Sequence, residues 1–101
     1  MIVVNAIIES TESDILAMKD AIQEMETQSR KESGCNDYTF SVEVSNPNVI
    51  RVTEQWNDMT ALNAHFAEPH MAVFQAAMAA NPPISVSAKI YEATEVPGPG
   101  Q

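Results

Sequence analysis

The chain has 101 residues, 45% of them hydrophobic, and carries 14 acidic against 5 basic side chains for a formal net charge of −9. That length makes one domain, and that apolar share suits a packed core rather than a disordered chain. The acid excess argues against nucleic acid or an anionic membrane surface as a partner, because phosphate contacts need clustered Lys and Arg and Arg30-Lys31 is the one adjacent basic pair.

Ile2 to Ser10 alternates as a strand, with Val3, Asn5 and Ile7 on one face and Ile2, Val4, Ala6 and Ile8 on the other. Both faces are mainly apolar and both need cover. Helices of the chain supply one cover, and in so short a chain a second copy supplies the other. The segment has neither the basic start nor the long apolar run of a signal peptide. No apolar stretch approaches the roughly 20 residues that cross a bilayer, so the expected location is the cytoplasm.

Thr11-Glu12-Ser13-Asp14 opens a helix, with Ser10 or Thr11 as cap and acids at its positive end. Ile15, Met18, Ile22 and Met25 form one apolar stripe along it, and Ser33-Gly34 closes the segment. Cys35, the single cysteine, excludes an internal disulfide or a multi-Cys metal site and reads as a half-buried small residue at a turn. Tyr38 to Ser45 alternates as a second strand, Asn46-Pro47-Asn48 turns, and Val49 to Trp56 returns as a third. Glu54 is an acid on the more apolar face, expected at an edge or paired with Arg51 or Lys89.

Asn57 or Asp58 caps the next helix, whose apolar side is Leu62, His65 and Phe66. Pro69 starts another, with Met71, Phe74 and Met78 as its stripe and Asn81-Pro82-Pro83 as its stop. Ile84 to Ala93 is the fourth strand, with Val86, Ala88 and Ile90 on one face. Residues 1–95 then make a single domain and 96–101 a disordered tail. The order β, α, β, β, α (broken), β is the split βαβ pattern of a ferredoxin-like α+β fold, an antiparallel sheet under one layer of helices.

Candidate chemistry gathers at the end of the third strand and in the two helix pieces after it. Gly34, Gly98 and Gly100 are the only glycines, so neither a P-loop, a dinucleotide fingerprint nor a Gly-x-Ser-x-Gly elbow can be built. His65 and His70 stand five apart across Pro69, not one turn apart on a continuous helix. Together with Glu68 or Asp58 they lack an evident third ligand, so no metal is expected. Either His reads as a local structural group or as a catalytic or ligand-binding one. Asn5 is a satisfied structural amide or a fixed hydrogen-bonding group in a cavity between sheet and helices. Trp56, Tyr38 and Tyr91 pack the core or wall a ligand site, as do Met18, Met25, Met71 and Met78.

Three ordered motifs resemble one family. Ser33-Gly34-Cys35-x-x-Tyr38 is similar to its entry into the second strand, Glu54-Gln55-Trp56 to its strand end, and Ala61-Leu62-x-x-His65-x-x-x-Pro69-His70-x-x-x-Phe74 to its helix pair. Over residues 2 to 93 the chain resembles the antibiotic-biosynthesis monooxygenase (ABM) family, in particular its quinol monooxygenase branch.

The resemblance implies a dimeric, barrel-like assembly of two ferredoxin-like subunits, each with a cavity between sheet and helices. It implies oxidation of a quinol, anthrone or similar aromatic by molecular oxygen with no cofactor. His65 or His70 would be the general base, Asn5 would hydrogen-bond a substrate oxygen, and Trp56 and Phe74, with Tyr38 and Tyr91, would line the substrate slot. A sister branch degrades haem with an Asn, a Trp and a His. Aligned on Trp56, Asn5 matches, but His65 and Gln75 stand where that branch has its Trp and His, so haem degradation is rejected. The alternatives are a small-molecule-binding dimer without turnover and an isomerase of a small signalling metabolite. For the latter, five basic residues are few for a phosphate pocket, and Arg51 and Lys89 keep one open.

Overall fold

Alternation along β1 (Ile2–Glu9) sends Ile2, Val4 and Ile8 to one face, where all three are buried. In the computed structural model, which describes residues 1–100, this strand lies inside a four-stranded sheet. The other strands are β2 (Cys35–Glu43), β3 (Asn46–Trp56) and β4 (Ser85–Glu92). Their order is β2-β3-β1-β4, and every pairing is antiparallel. Helices cross between β1 and β2 and between β3 and β4, so the expected ferredoxin-like topology is present.

The register fixes which residues share a face. Ile2 pairs with Trp56, Val4 with Glu54, Ala6 with Val52 and Ile8 with Ile50. Trp56, Glu54, Val52 and Ile50 therefore look toward the helices with the even-numbered residues of β1, and all four are buried. Tyr38 and Phe40 join that face from β2. The helices above are α1 (Glu12–Ala17), α2 (Lys19–Arg30), α3 (Met59–Phe66) and α4 (Pro69–Ala80). Ile15, Met18, Met25, Leu62 and Phe74 descend from them into the core.

Two local expectations are corrected. The apolar stripe from Ile15 to Met25 belongs to two helices and not one, because the chain bends at Met18 (φ −92°, ψ 3°). Met18 keeps its N–H on the Asp14 carbonyl at 3.0 Å and its own carbonyl takes the Ile22 N–H at 2.9 Å. The bend costs little hydrogen bonding and lets α1 pack on β3 while α2 packs on β2 and α4. The hairpin turn is Val44–Ser45 and not Asn46–Asn48. Glu43 pairs with Asn46, and a register shift beyond Val42 leaves Pro47 outside the ladder, where its missing N–H breaks no bond.

The β2 entry is set by Gly34, whose φ of +89° is open to glycine and strained for other residues. A Cβ there would also lie 2.7 Å from Ala61 Cβ on α3. Gly34→Ala is expected to lower stability by about 1–3 kcal/mol, read as a lower urea midpoint at unchanged m-value. The same loop holds Glu32, two residues earlier. Residues 93–100 form neither strand nor helix, and Gln101, the last residue of the expected tail, lies outside the described residues. Among the described residues no helix is long and apolar enough to cross a membrane.

Candidate functional site

Asp58 accepts the Ala61 N–H at 2.9 Å and so starts α3 directly after the end of β3. From that start Leu62 and His65, three apart, face inward, and neither has any exposed surface. The His65 ring lies 4.7 Å from the Trp56 ring and 5.2 Å from that of Tyr38. Pro69 opens α4 after the two-residue joint Ala67–Glu68. This turns His70 back toward His65, with 5.8 Å between ring centres.

Glu32 joins the two histidines. His65 Nδ1 donates to its Oε2 at 2.6 Å and His70 Nε2 to the same oxygen at 2.7 Å. With Nδ1–H as the donor to the carboxylate, the neutral tautomer of the His65 ring has its lone pair on Nε2. That atom is buried and has no hydrogen-bond partner. A base held on one nitrogen by an acid and bare on the other is the geometry of an oriented general base.

A second acid sits beneath. Glu54 is buried, and its Oε1 accepts the Trp56 Nε1–H at 3.0 Å. It is paired with neither Arg51 nor Lys89, the partners expected from the sequence; Arg51 bonds Glu43 at 2.7 Å. Desolvation by burial raises the Glu54 carboxyl above its ordinary pKa, against the pull of the Trp56 bond and of His65, while Glu32 adds to the rise. A raised acid favours the fold below its unfolded pKa, and that contribution is lost as pH rises through the folded value. Glu54→Gln, which keeps an acceptor oxygen for Trp56, is therefore expected to raise the melting temperature at about pH 7–8 relative to wild type. The advantage should vanish near about pH 4. Melting curves across that range, compared between the two proteins, check it.

Burial, then Glu54 and Glu32, hold the Tyr38 phenol far above its ordinary pKa. Tyr38 is thus a permanent O–H here, a donor and not a base. Cys35 begins β2 half-buried, and burial foremost, with Glu32 next, pushes its thiol up to about 11. It stays protonated and weakly nucleophilic.

The structure thus gathers His65, His70, Trp56 and Tyr38 in one cluster. Phe74 is buried one ring further out, 5.4 Å from Phe40, which in turn is 5.8 Å from Tyr38. Asn5 and Tyr91 are elsewhere. Asn5 pairs with Thr53 and Lys89 on the opposite face of the sheet and is exposed there. It lines a shallow space of about 270 Å³ with Ile7, Arg51, Thr53, Ser87 and Lys89. Tyr91, opposite Val3, shares that face. The expected meeting of Asn5, Trp56 and a His is not formed, because Trp56 pairs with Ile2 and so takes the even-numbered face.

Sequence reasoning missed Glu32 altogether, and it found Glu54 without its partner. The signal for Glu54 was its place two residues before Trp56, which puts both on one strand face. An apolar groove of about 300 Å³ lies apart from the cluster, between α1–α2 and the β2–β3 end. Ile15, Leu16, Ile22, Phe40, Val42 and Ile50 line it.

A family model described as antibiotic biosynthesis monooxygenase matches residues 1–77. The chain belongs to this family. Solved ABM-like structures superpose on nearly its full length. One is of a proposed antibiotic biosynthesis monooxygenase from Deinococcus radiodurans, with a TM-score of 0.88, 21% identity and 97% of each chain covered. A counterpart from Nitrosomonas europaea gives 0.87 at 18% identity, with 94% of this chain and 100% of that one covered. One from Caulobacter crescentus gives 0.86 at 20% identity, covering 93% and 90%. At such identities these likenesses bear on the ABM fold alone. No curated protein matches the chain in sequence.

Proposed function

We propose that this ABM chain is a cofactor-independent monooxygenase that oxidises a small electron-rich aromatic, a quinol or an anthrone, with molecular oxygen. The observation that carries the reading is His65, whose Nδ1 is held by Glu32 while its Nε2 is buried without a hydrogen-bond partner, in a ring 4.7 Å from that of Trp56. Nε2 takes the proton from the acidic O–H or C–H of the substrate. The anion left behind gives an electron to oxygen, so the substrate supplies the reducing power. Recombination forms a carbon-bound peroxide; His65 returns its proton to the outer oxygen, a second proton leaves the substrate carbon, and the O–O bond breaks, so one oxygen atom stays in the product and the other leaves as water. Glu32 stabilises the imidazolium formed in the first step, and the Tyr38 O–H is available as a donor. His65 is fully enclosed, so substrate enters when the α3–α4 roof parts about Ala67–Glu68.

The working unit in this reading is a cytoplasmic homodimer. Its support is apolar surface left open: on β4 and just before it, Ile84, Val86 and Ile90 are 74%, 53% and 49% exposed. A second reading, a binding dimer without turnover, draws on the apolar groove by Phe40 and Ile50, which holds neither His65 nor Trp56.

Oxygen-electrode assays with reduced quinols and anthrones decide between them. The monooxygenase reading expects uptake above autoxidation, one oxygen molecule per product. Ligand binding by calorimetry without uptake would support the binding dimer and end the enzymatic reading.

A further inference from the structure

Glu32, His65 and His70 come from three different places: the loop after α2, the inner face of α3 and the first turn of α4. Their donor atoms, one carboxylate oxygen and two imidazole nitrogens, all lie within 4.8 Å of one another. A carboxylate holding two N–H groups is a satisfied clasp in itself. Its composition, however, is also that of a three-ligand metal site, two histidines and one carboxylate. We propose that Glu32 Oε2, His65 Nδ1 and His70 Nε2 bind one divalent transition-metal ion, with Zn²⁺ the best match.

Geometry, access and charge support the assignment. Ligands about 2.0–2.2 Å from a tetrahedral Zn²⁺ stand roughly 3.3 Å from each other. The two gaps to Glu32 Oε2 are 2.6 Å and 2.7 Å and the histidine nitrogens stand up to 4.8 Å apart, so an ion must widen the first two by less than an ångström and draw the histidines together by up to about 1.5 Å. His65 is rigid in the core, but Glu32 is in a loop and His70 in a helix's first turn, and these two can yield. One side of the cluster is closed by Trp56 and Tyr38. The other opens on a hollow of about 320 Å³ lined by Gln28, Lys31, Ser33 and Glu68 as well as by Glu32 and His70, which gives an ion a path and leaves its fourth position to water. Lys31 is the one cation at that rim, beside Glu68, and the chain's charge of −9 favours a cation. Two nitrogen donors argue against Mg²⁺ and Ca²⁺, which take oxygen ligands.

Metal binding has a consequence that rests on the monooxygenase reading. An imidazole that gives Nδ1 to a metal carries its remaining proton on Nε2. The ion would convert the bare base atom into an N–H donor, so Zn²⁺ would act as an inhibitor and not as a cofactor.

The test uses the full chain without a histidine tag, stripped with chelator and dialysed. It is titrated with ZnCl₂ by calorimetry and with Co²⁺ by absorption. The expected result is one ion per chain, four-coordinate Co²⁺ d–d bands, and a melting temperature raised by Zn²⁺. Glu32→Gln and His70→Ala, both at the rim of the core, should each weaken Zn²⁺ by more than the roughly 10–100-fold that loss of an outer-shell partner costs. No one-to-one binding, or binding that survives both substitutions, would overturn the site. Oxygen uptake is read in parallel. Loss of uptake on Zn²⁺ addition supports the switch, and uptake untouched by a bound ion refutes it. A chain that shows no uptake even when metal-free fails the enzymatic reading, and the titration still decides the site.

Discussion

Trp56→Ala lowers the unfolding free energy by about 3–5 kcal/mol, a large share of the roughly 5–15 kcal/mol a domain possesses. The indole has no exposed surface and touches the rings of Tyr38 and His65. Its loss opens a cavity at the junction of sheet and α3 and leaves Glu54 without its donor. Trp56→Phe separates these effects. It keeps a six-membered ring in the core and removes the pyrrole part that carries Nε1–H, so about 1–3 kcal/mol is expected for the unpartnered acid, on top of a packing loss smaller than that of Ala. That cost should shrink in acid, where Glu54 is neutral and needs the donor less. Urea unfolding of wild type and both variants at about pH 7 and about pH 4 measures each part. Equal destabilisation by Phe and Ala would show that the hydrogen bond outweighs the packing.

The second large effect is on turnover. His65→Gln is expected to cut kcat for oxygen uptake by about 10²–10⁴-fold, the range for loss of a general base, with little change in KM. Glutamine keeps much of the volume and an amide N–H for Glu32, so the fold should hold; circular dichroism and the melting temperature confirm it. Glu32→Gln leaves the base in place but removes the charge that steadies the imidazolium, and a smaller fall in kcat is expected. His70→Ala should cost least, because His70 touches Glu32 and not the bare Nε2. Unchanged kcat in His65→Gln would sink the assignment of the base, whatever the substrate.

How far the sequence carried differs between backbone and site. Period-two alternation in β1 and the hairpin, the Asp58 cap and Pro69 at a helix start are local signals, and they placed the elements. The break at Met18 had no such signal, since methionine is a good helix former and the bend serves packing against two different strands. The faces of β1 were also legible: Asn5 was set opposite Ile2 and Val4 from the alternation alone. Its assignment to a helix-side cavity came from its being the one polar residue on a mainly apolar face, and alternation within one strand does not say which of its faces the helices cover. Glu32 was invisible because its partners are 33 and 38 residues away, and nothing in a Glu-Ser-Gly loop says which way the acid turns. A cluster assembled from three elements is a tertiary fact, and its members become a set only when the chain closes.

All eight residues of β4 are exposed. The strand adds almost nothing to the core and is held by its ladder to β1 and by clips at its ends. Ile84 N–H bonds the Glu9 carbonyl at 2.7 Å, and Met1 and Ala93 exchange two bonds of 2.8 Å. Free energy of opening follows buried surface, so β4 is the piece of this sheet that can lift away while the rest stays folded. Its amides should be the first strand amides to exchange with deuterium. What it leaves behind is the edge of β1, a row of unpaired backbone groups with a fixed register.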